Sequence, residues 1–280
     1  MHFRRIKSCM LLISLLCLFM SCKKDEIMIE PGWDAFPEEG RIVKIIAHRG
    51  YWDTEGSWQN SITSIIKAVE IGADGVECDI WKTADDSIVV NHDAEYSGMK
   101  ISASSYQTLK AVPLPNGEVF PTFRSFLRTM KLYPSMILFI EIKDSKATRS
   151  LLSLLSEENP PNPLVFISFS KGVCDELIKT DPRLRVQLLR HNEDYPLASE
   201  LMSEGYFGIA YSLSLYNQNP VTIKDAHSCG AYLTAWTLTD TKQYDWLFDN
   251  HFKFAITDTP NTLVEISKTS LDYWYETISN

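Results

Sequence analysis

Eight times along the chain a short apolar run is followed by a stretch with helical spacing, and this alternation constrains the fold more than any other feature. The apolar runs fall at 42–47, 75–80, 136–142, 164–169, 185–189, 207–211, 232–238 and 252–257. Near-continuous apolar strands separated by helices indicate a parallel sheet covered on its outer face. The intervening helices are expected at 60–71, 122–132, 146–157, 171–179, 195–204, 220–229, 240–249 and 260–268. In the first of these, Asn60 or Ser61 can serve as cap, Ile62, Ile65, Ile66 and Val69 form the apolar stripe, and Gly72 ends it. Eight such units over roughly 230 residues match an α/β protein of the (β/α)8 TIM-barrel class. An open doubly wound sheet would want a glycine-rich phosphate loop after the first strand, whereas this chain has His48-Arg49-Gly50. A short extra strand is expected at 87–90. Residues 94–121 form the longest irregular stretch, either a loop on the catalytic face or a small insert.

The first 21 residues have the layout of a signal peptide: Arg4, Arg5 and Lys7, then an apolar run from Met10 to Met20, then Ser21. That run falls short of the about 20 apolar residues needed to span a bilayer. Leu18-Phe19-Met20-Ser21-Cys22 resembles a bacterial lipoprotein box, which implies a lipid on Cys22 and attachment to the cell envelope. The charged start Lys23-Lys24-Asp25-Glu26 resembles the export tags of some surface lipoproteins, so the outer membrane, with the cell surface as one option, is the expected location. The division expected is therefore signal peptide 1–21, tether 22–40, barrel 41–267 and tail 268–280. The whole chain carries a net charge of −9, and −12 without those three basic residues. An acidic surface of this kind argues against nucleic acid as a partner. Outside the leader, Cys78, Cys174 and Cys229 show no metal-ligand spacing and are expected to be free thiols.

Barrel chemistry sits at the C-terminal ends of the strands. The first strand ends in His48-Arg49, a proton-transferring group beside a guanidinium that can fork onto phosphate oxygens. The second carries Glu77-Cys78-Asp79. If Cys78 faces the helices, both carboxylates point into the barrel mouth, and a hard divalent cation resolves their repulsion. The third ends in Glu141-Ile142-Lys143. Glu141 would complete a three-carboxylate metal site, and Lys143 would hold a phosphate oxygen or balance charge. His92, after the extra strand, gives a second imidazole at the cavity edge, so that one histidine can act as base and the other as acid.

These blocks resemble, in order and spacing, the glycerophosphodiester phosphodiesterase family: His48-Arg49-Gly50, the run from Gly72 to Asp79, Val89 to Asp93, and Glu141-Ile142-Lys143. Ile167-Ser168-Phe169, Ala235-Trp236-Thr237 and Ile256 to Pro260 extend the match. The resemblance implies a barrel that hydrolyses small-molecule glycerophosphodiesters to glycerol 3-phosphate and an alcohol with a divalent ion, Ca2+ or Mg2+. It places Glu77, Asp79 and Glu141 on the metal and His48 and His92 in acid/base catalysis. Arg49 and Lys143 fall on the phosphate, and Trp236 lines the pocket. The chain departs from the family pattern at Trp58-Gln59-Asn60-Ser61, where the family usually has Pro-Glu-Asn-Thr, and at Thr239-Asp240, where Asn is frequent. A barrel glycosidase would want acids on strands four and seven, which carry none. Two alternatives remain: a ligand-binding lipoprotein with a degenerate site, and a phosphodiesterase acting on a lysophospholipid or a larger glycerophosphate polymer.

Overall fold

The computed structural model describes residues 41–268 apart from residue 193. The expected signal peptide, Cys22, the tether up to residue 40 and residues 269–280 of the expected tail lie outside the described residues. The core strands are β1 (Lys44–Ala47), β2 (Gly75–Lys82), β3 (Ile137–Ile142), β4 (Leu164–Ser168), β5 (Val186–Arg190), β6 (Gly208–Ser212), β7 (Tyr232–Leu238) and β8 (Phe254–Thr257). Each pairs in parallel with the next, and β8 pairs back onto β1, so the sheet closes into the expected eight-stranded barrel.

Strand alternation divides the apolar residues between two cores. In β3, Ile137 and Phe139 point into the barrel with Ile46, Val165, Ile167 and Phe254. Leu138, Ile140 and Ile142 point outward to the helices. Phe139 meets Phe254 edge to face at 5.1 Å across the barrel interior. Truncating either ring would cost about 3–5 kcal/mol, because the closed interior cannot collapse onto the gap. In β2, Val76, Cys78 and Ile80 belong to the outer core. Glu77 and Asp79 therefore take the inward positions by the same period-two rule.

The helices run close to the expected bounds. The first, α1 (Ile62–Glu70), is capped by Ser61, whose hydroxyl accepts from Ser64 N at 3.0 Å. The helix expected at 195–204 is shorter, Ala198–Ser203. Pro196 has no N–H to give and fixes its own φ, so the helix starts beyond it. The helix Leu213–Gln218, capped by Ser212, has no counterpart in the expected set. The extra strand is Ile88–Val90 and pairs antiparallel with β2.

Residues 94–121 form an insert, the second of the two options. It holds a hairpin of Glu95–Tyr96 with Met99–Lys100 and a short helix, Tyr106–Leu109. Ile101, Leu109, Leu114 and Phe120 give it a small core, against which Trp58 of the loop before α1 and Trp81 at the end of β2 pack. Cys78, Cys174 and Cys229 are free. Among the described residues no helix is long and apolar enough to cross a membrane.

Candidate active site

Strand register assembles the polar cluster. Asp79 of β2 lies beside Glu141 of β3. Ala47 of β1 pairs with Val76, which brings the following residue, His48, alongside Glu77. Ligand oxygens of Glu77, Asp79 and Glu141 all lie within 4.8 Å of one another, and all three residues are buried.

The turn after β1 is tightly bound. Arg49 sits at φ 57°, in the left-handed region that non-glycine residues rarely occupy, and Gly50 follows at 75°. A Cβ on Gly50 would come within 2.2 Å of Ser64 Oγ, so only glycine lets α1 pack this close. The turn aims Arg49 N–H at Glu77 Oε2 (2.9 Å), while Arg49 O accepts from Asn60 N (2.9 Å) and Ser64 Oγ (3.0 Å). The Arg49 guanidinium donates to Gln59 Oε1 at 2.6 Å, and its Nε lies 3.7 Å from Asp79 Oδ2. Asn60 donates to Asp79 Oδ2 (2.9 Å) and accepts from Asp79 N (3.2 Å).

The carboxylates are incompletely satisfied by the protein. Glu77 Oε1 and Asp79 Oδ1 are buried without a hydrogen-bond partner. Lys143 Nζ lies 3.2 Å from Asp79 Oδ1 but off the hydrogen-bonding direction, and it bonds Glu141 Oε1 at 2.8 Å. Buried polar atoms without partners are rare and costly. Two orphaned carboxylate oxygens in an all-oxygen cluster are the donor set a hard divalent cation takes, so the residues present fit such an ion.

Electrostatics follow from crowding. Burial and the charges of Asp79 and Glu141 push Glu77 well above the ordinary carboxylate range. Burial and Asp79 push Glu141 up to about 7. Asp79 goes the other way: burial opposes its charge, but Lys143 and Asn60 outweigh it. Burial likewise opposes charge on Lys143, and Asp79 and Glu141 outweigh that. Desolvation lowers His92, with the pull of Asp79 acting against it.

Both histidines have Nδ1 held by a carboxylate: His48 by Asp258 at 2.7 Å and His92 by Asp93 at 2.8 Å. In each ring Nε2 is left for chemistry. Asn91 N–H bonds to Asp79 O (3.0 Å), and Trp81 Nε1 donates to His92 O (3.3 Å), which fixes the loop bearing His92 over the carboxylates. Every expected site residue except Asp79, which lies beneath the floor, lines one cavity of about 270 Å³: His48, Arg49, Glu77, His92, Glu141, Lys143 and Trp236. Trp236 is pinned by Nε1–H to Ala210 O at 2.7 Å. A larger groove of about 490 Å³ lies away from the barrel mouth, between the Asp85–Ser87 turn and the helices of Arg124 and Arg149. There Glu157 is engaged by Arg124 and Asp86 by Lys82, so it has none of the convergent chemistry of the smaller cavity.

Sequence reasoning missed Asp258, Asp93, Phe169 and His191. Asp258 and Asp93 fall inside motifs quoted above, and the signal that could have found them is an acid just after a strand end or beside a histidine. His191 stands two residues beyond the inward-facing Leu189 of β5, and the two share the cavity wall. Asp240, at a departure from the family pattern, caps the helix Thr241–Asp249 and has a structural role.

The chain matches the model of the glycerophosphoryl diester phosphodiesterase family over residues 48–262. A glycerophosphodiester phosphodiesterase from Parabacteroides distasonis is similar in structure, with a TM-score of 0.78 and 33% identity over 82% of this chain and 99% of that one. A glycerophosphodiester phosphodiesterase of Caldanaerobacter subterraneus is 24% identical over 248 residues, covering 79% of this chain and 96% of the relative. A phosphodiesterase from Oleispira antarctica, solved with sn-glycerol-3-phosphate, shares the fold at 19% identity and a TM-score of 0.72, over 82% of this chain and 96% of that one. The matched region contains the whole carboxylate–histidine–arginine cluster, and the chain belongs to the glycerophosphoryl diester phosphodiesterase family of phosphoric diester hydrolases.

Proposed function

We propose that this protein hydrolyses glycerophosphodiesters to glycerol 3-phosphate and an alcohol in a divalent-ion-dependent reaction. The observation that carries the reading is the cluster of Glu77, Asp79 and Glu141, with ligand oxygens within 4.8 Å, flanked by two cations and two carboxylate-held histidines. The carboxylates would hold the ion, Ca2+ or Mg2+, which when bound supplies a Lewis acid for a phosphate oxygen. Arg49 and Lys143 offset the charge that grows on the phosphoryl oxygens. Nε2 of one histidine takes the proton of the attacking hydroxyl, from water or from the substrate's own glycerol, and the other returns a proton to the leaving oxygen; where the glycerol hydroxyl attacks, water then opens the resulting cyclic phosphate to give glycerol 3-phosphate. Ile167, Leu189 and Ile256 make the far side of the cavity apolar. The complex of the Oleispira antarctica relative with sn-glycerol-3-phosphate supports this choice of product.

The cavity volume favours a small diester over a lysophospholipid or a larger glycerophosphate polymer. About 270 Å³ lies below the roughly 300–1,000 Å³ of ordinary ligand pockets. That suits a glycerol, a phosphate and a compact alcohol better than an enclosed acyl chain or a polymer segment. The lipoprotein-like start further leads us to propose attachment to the outer membrane through a lipid on Cys22, which a Cys22→Ala variant would release from the membrane fraction.

The test is release of glycerol 3-phosphate from glycerophosphocholine and glycerophosphoethanolamine with Ca2+, with Mg2+ and with chelator. Release that stops on chelation and is absent in Glu77→Ala supports the reading. A protein that binds ion by calorimetry yet releases nothing from either diester would favour the ligand-binding alternative.

A further inference from the structure

The barrel mouth has two unlike halves. The segments from β1 to β3 bring the three clustered carboxylates, Arg49, Lys143 and both catalytic histidines, with Asp258 after β8 holding His48. Strands β4, β5, β7 and β8 bring Ile167, Phe169, Leu189, His191, Trp236 and Ile256. In an eight-stranded ring β5 stands opposite β1, so His191 faces across the cavity from His48 and Arg49. Its ring is edge-on to Phe169 (centroids 5.4 Å apart, planes at 73°) and to Trp236 (6.4 Å, 73°), and Phe169 is edge-on to Trp236 (5.5 Å, 89°). Trp236 is pinned through its indole N–H. Arg190 holds the neighbouring backbone by donating to Phe169 O and Leu189 O, both at 2.8 Å. The imidazole is thus oriented by aromatic contacts alone. No hydrogen bond engages either ring nitrogen among the described residues, whereas Nδ1 is held in His48 and in His92.

With the phosphate drawn to the cations of β1 and β3, the remainder of the substrate extends toward this apolar half. A hydroxyl arriving there finds carbon on most sides and the open imidazole of His191 as a partner. We propose that His191 is a specificity-determining residue that hydrogen-bonds the departing alcohol, so that this phosphodiesterase prefers diesters whose alcohol is a polyol. This rests on the function proposed above. A quaternary ammonium has neither donor nor acceptor for the imidazole, and an acyl chain would leave its nitrogens unpaired. His191 is exposed at the rim, so an unpaired nitrogen can turn to water, and the discrimination is about three- to tenfold, the scale of one partly solvated hydrogen bond. It is not the 10⁴-fold or more of a fully buried reader.

The test compares kcat/KM for glycerophosphoglycerol and glycerophosphocholine, using the full-length chain in detergent. Wild type is expected to favour glycerophosphoglycerol. His191→Phe keeps the ring packing and should lower kcat/KM for glycerophosphoglycerol about three- to tenfold relative to that for glycerophosphocholine. His191→Gln, which restores a donor and an acceptor, should recover part of the loss. An unchanged ratio in His191→Phe, or an equal fall on both diesters, overturns the assignment while leaving the general function standing. A wild type that hydrolyses neither diester overturns the general function, and this assignment with it.

Discussion

Nδ1 of His48 lies 2.7 Å from Oδ1 of Asp258, and Trp52 Nε1 donates to that same oxygen at 3.3 Å. The His48 contact holds the carboxyl of Asp258 below the ordinary carboxylate range against the opposing effect of burial, so it stays charged near neutral pH. A fixed acceptor at Nδ1 sets the tautomer and directs Nε2 toward Glu77, 4.0 Å away. Asp258→Asn can present its amide nitrogen to Nδ1 and reverse that tautomer. We expect kcat to fall by about 10²-fold with KM changed little, since the loss is of orientation, not of substrate contact. Steady-state kinetics on protein of unchanged circular dichroism would check this, and an equal fall in Trp52→Phe would mean that packing around Asp258 matters more than its charge.

Removing either imidazole should cost more than removing its partner. For His48→Ala and His92→Ala we expect losses of about 10²–10⁴ in kcat, the range for general acid–base groups. Both side chains are partly solvent-exposed, so the melting temperature should move little. Near-wild-type turnover in either variant would remove that histidine from the mechanism.

The raised carboxylates give a pH signature without ion. Glu141 is pushed from 4.5 up to about 7, and Glu77 is raised in the same direction. A raised acid binds more protons folded than unfolded, so its contribution to stability falls as pH rises from the unfolded to the folded value. Asp79 has the opposite sign, but its window lies below 3.8, and His92, lowered from 6.5 by burial, offsets part of the fall only below 6.5. The melting temperature in chelator should therefore drop between about pH 5 and 7.5. Added ion should restore it, and more strongly at the upper end, because binding must expel protons at low pH. A chelated protein equally stable across this window would argue against the protonated cluster.

Asn60 ties α1 to the floor of the site through its two hydrogen bonds to Asp79. It is buried and takes φ 61°, a region Asn enters more readily than most residues. Asn60→Ala would leave Asp79 short of a donor and force alanine into the left-handed region. A loss of about 2–4 kcal/mol is expected, together with weaker ion binding. Denaturant melts and calorimetry on one preparation would measure both, and an unchanged ion affinity would confine Asn60 to a role in stability.

The barrel was legible because strand residues such as Val76, Cys78 and Ile80 obey period two and their helices period 3.6. Glu77, Asp79 and Glu141 could be read for the same reason: side-chain direction on a strand follows from spacing alone. Asp258 and His48 are 210 positions apart, and no local pattern links them. His191 lies beyond the last residue of β5, where strand periodicity stops directing side chains. The helix Leu213–Gln218 escaped notice because it is shorter than two turns and reads as part of a loop. The insert was legible only as an interruption, because its small core draws Trp58 and Trp81 from other segments.

Glu118 gives that insert a role at the site. Its carboxylate accepts from Ile62 N (2.9 Å) and Thr63 N (3.1 Å), the first two N–H groups of α1, and Asn116 donates to it at 2.6 Å. A carboxylate there satisfies donors that no helical carbonyl can reach and complements the helix dipole. The loop held in this way carries Trp58, which packs on the insert, Gln59, which bonds Arg49, and Asn60, which bonds Asp79. Glu118→Ala should cost about 1–2 kcal/mol, in the range of lost helix caps, and lower the melting temperature by roughly 2–8 °C. Glu118→Gln keeps an acceptor and should lose about half as much. Because Arg49 takes its position from the same loop, KM should rise in Glu118→Ala measured well below its melting temperature. A fall in melting temperature with KM and kcat untouched would show that Gln59 and Asn60 are held by the barrel alone.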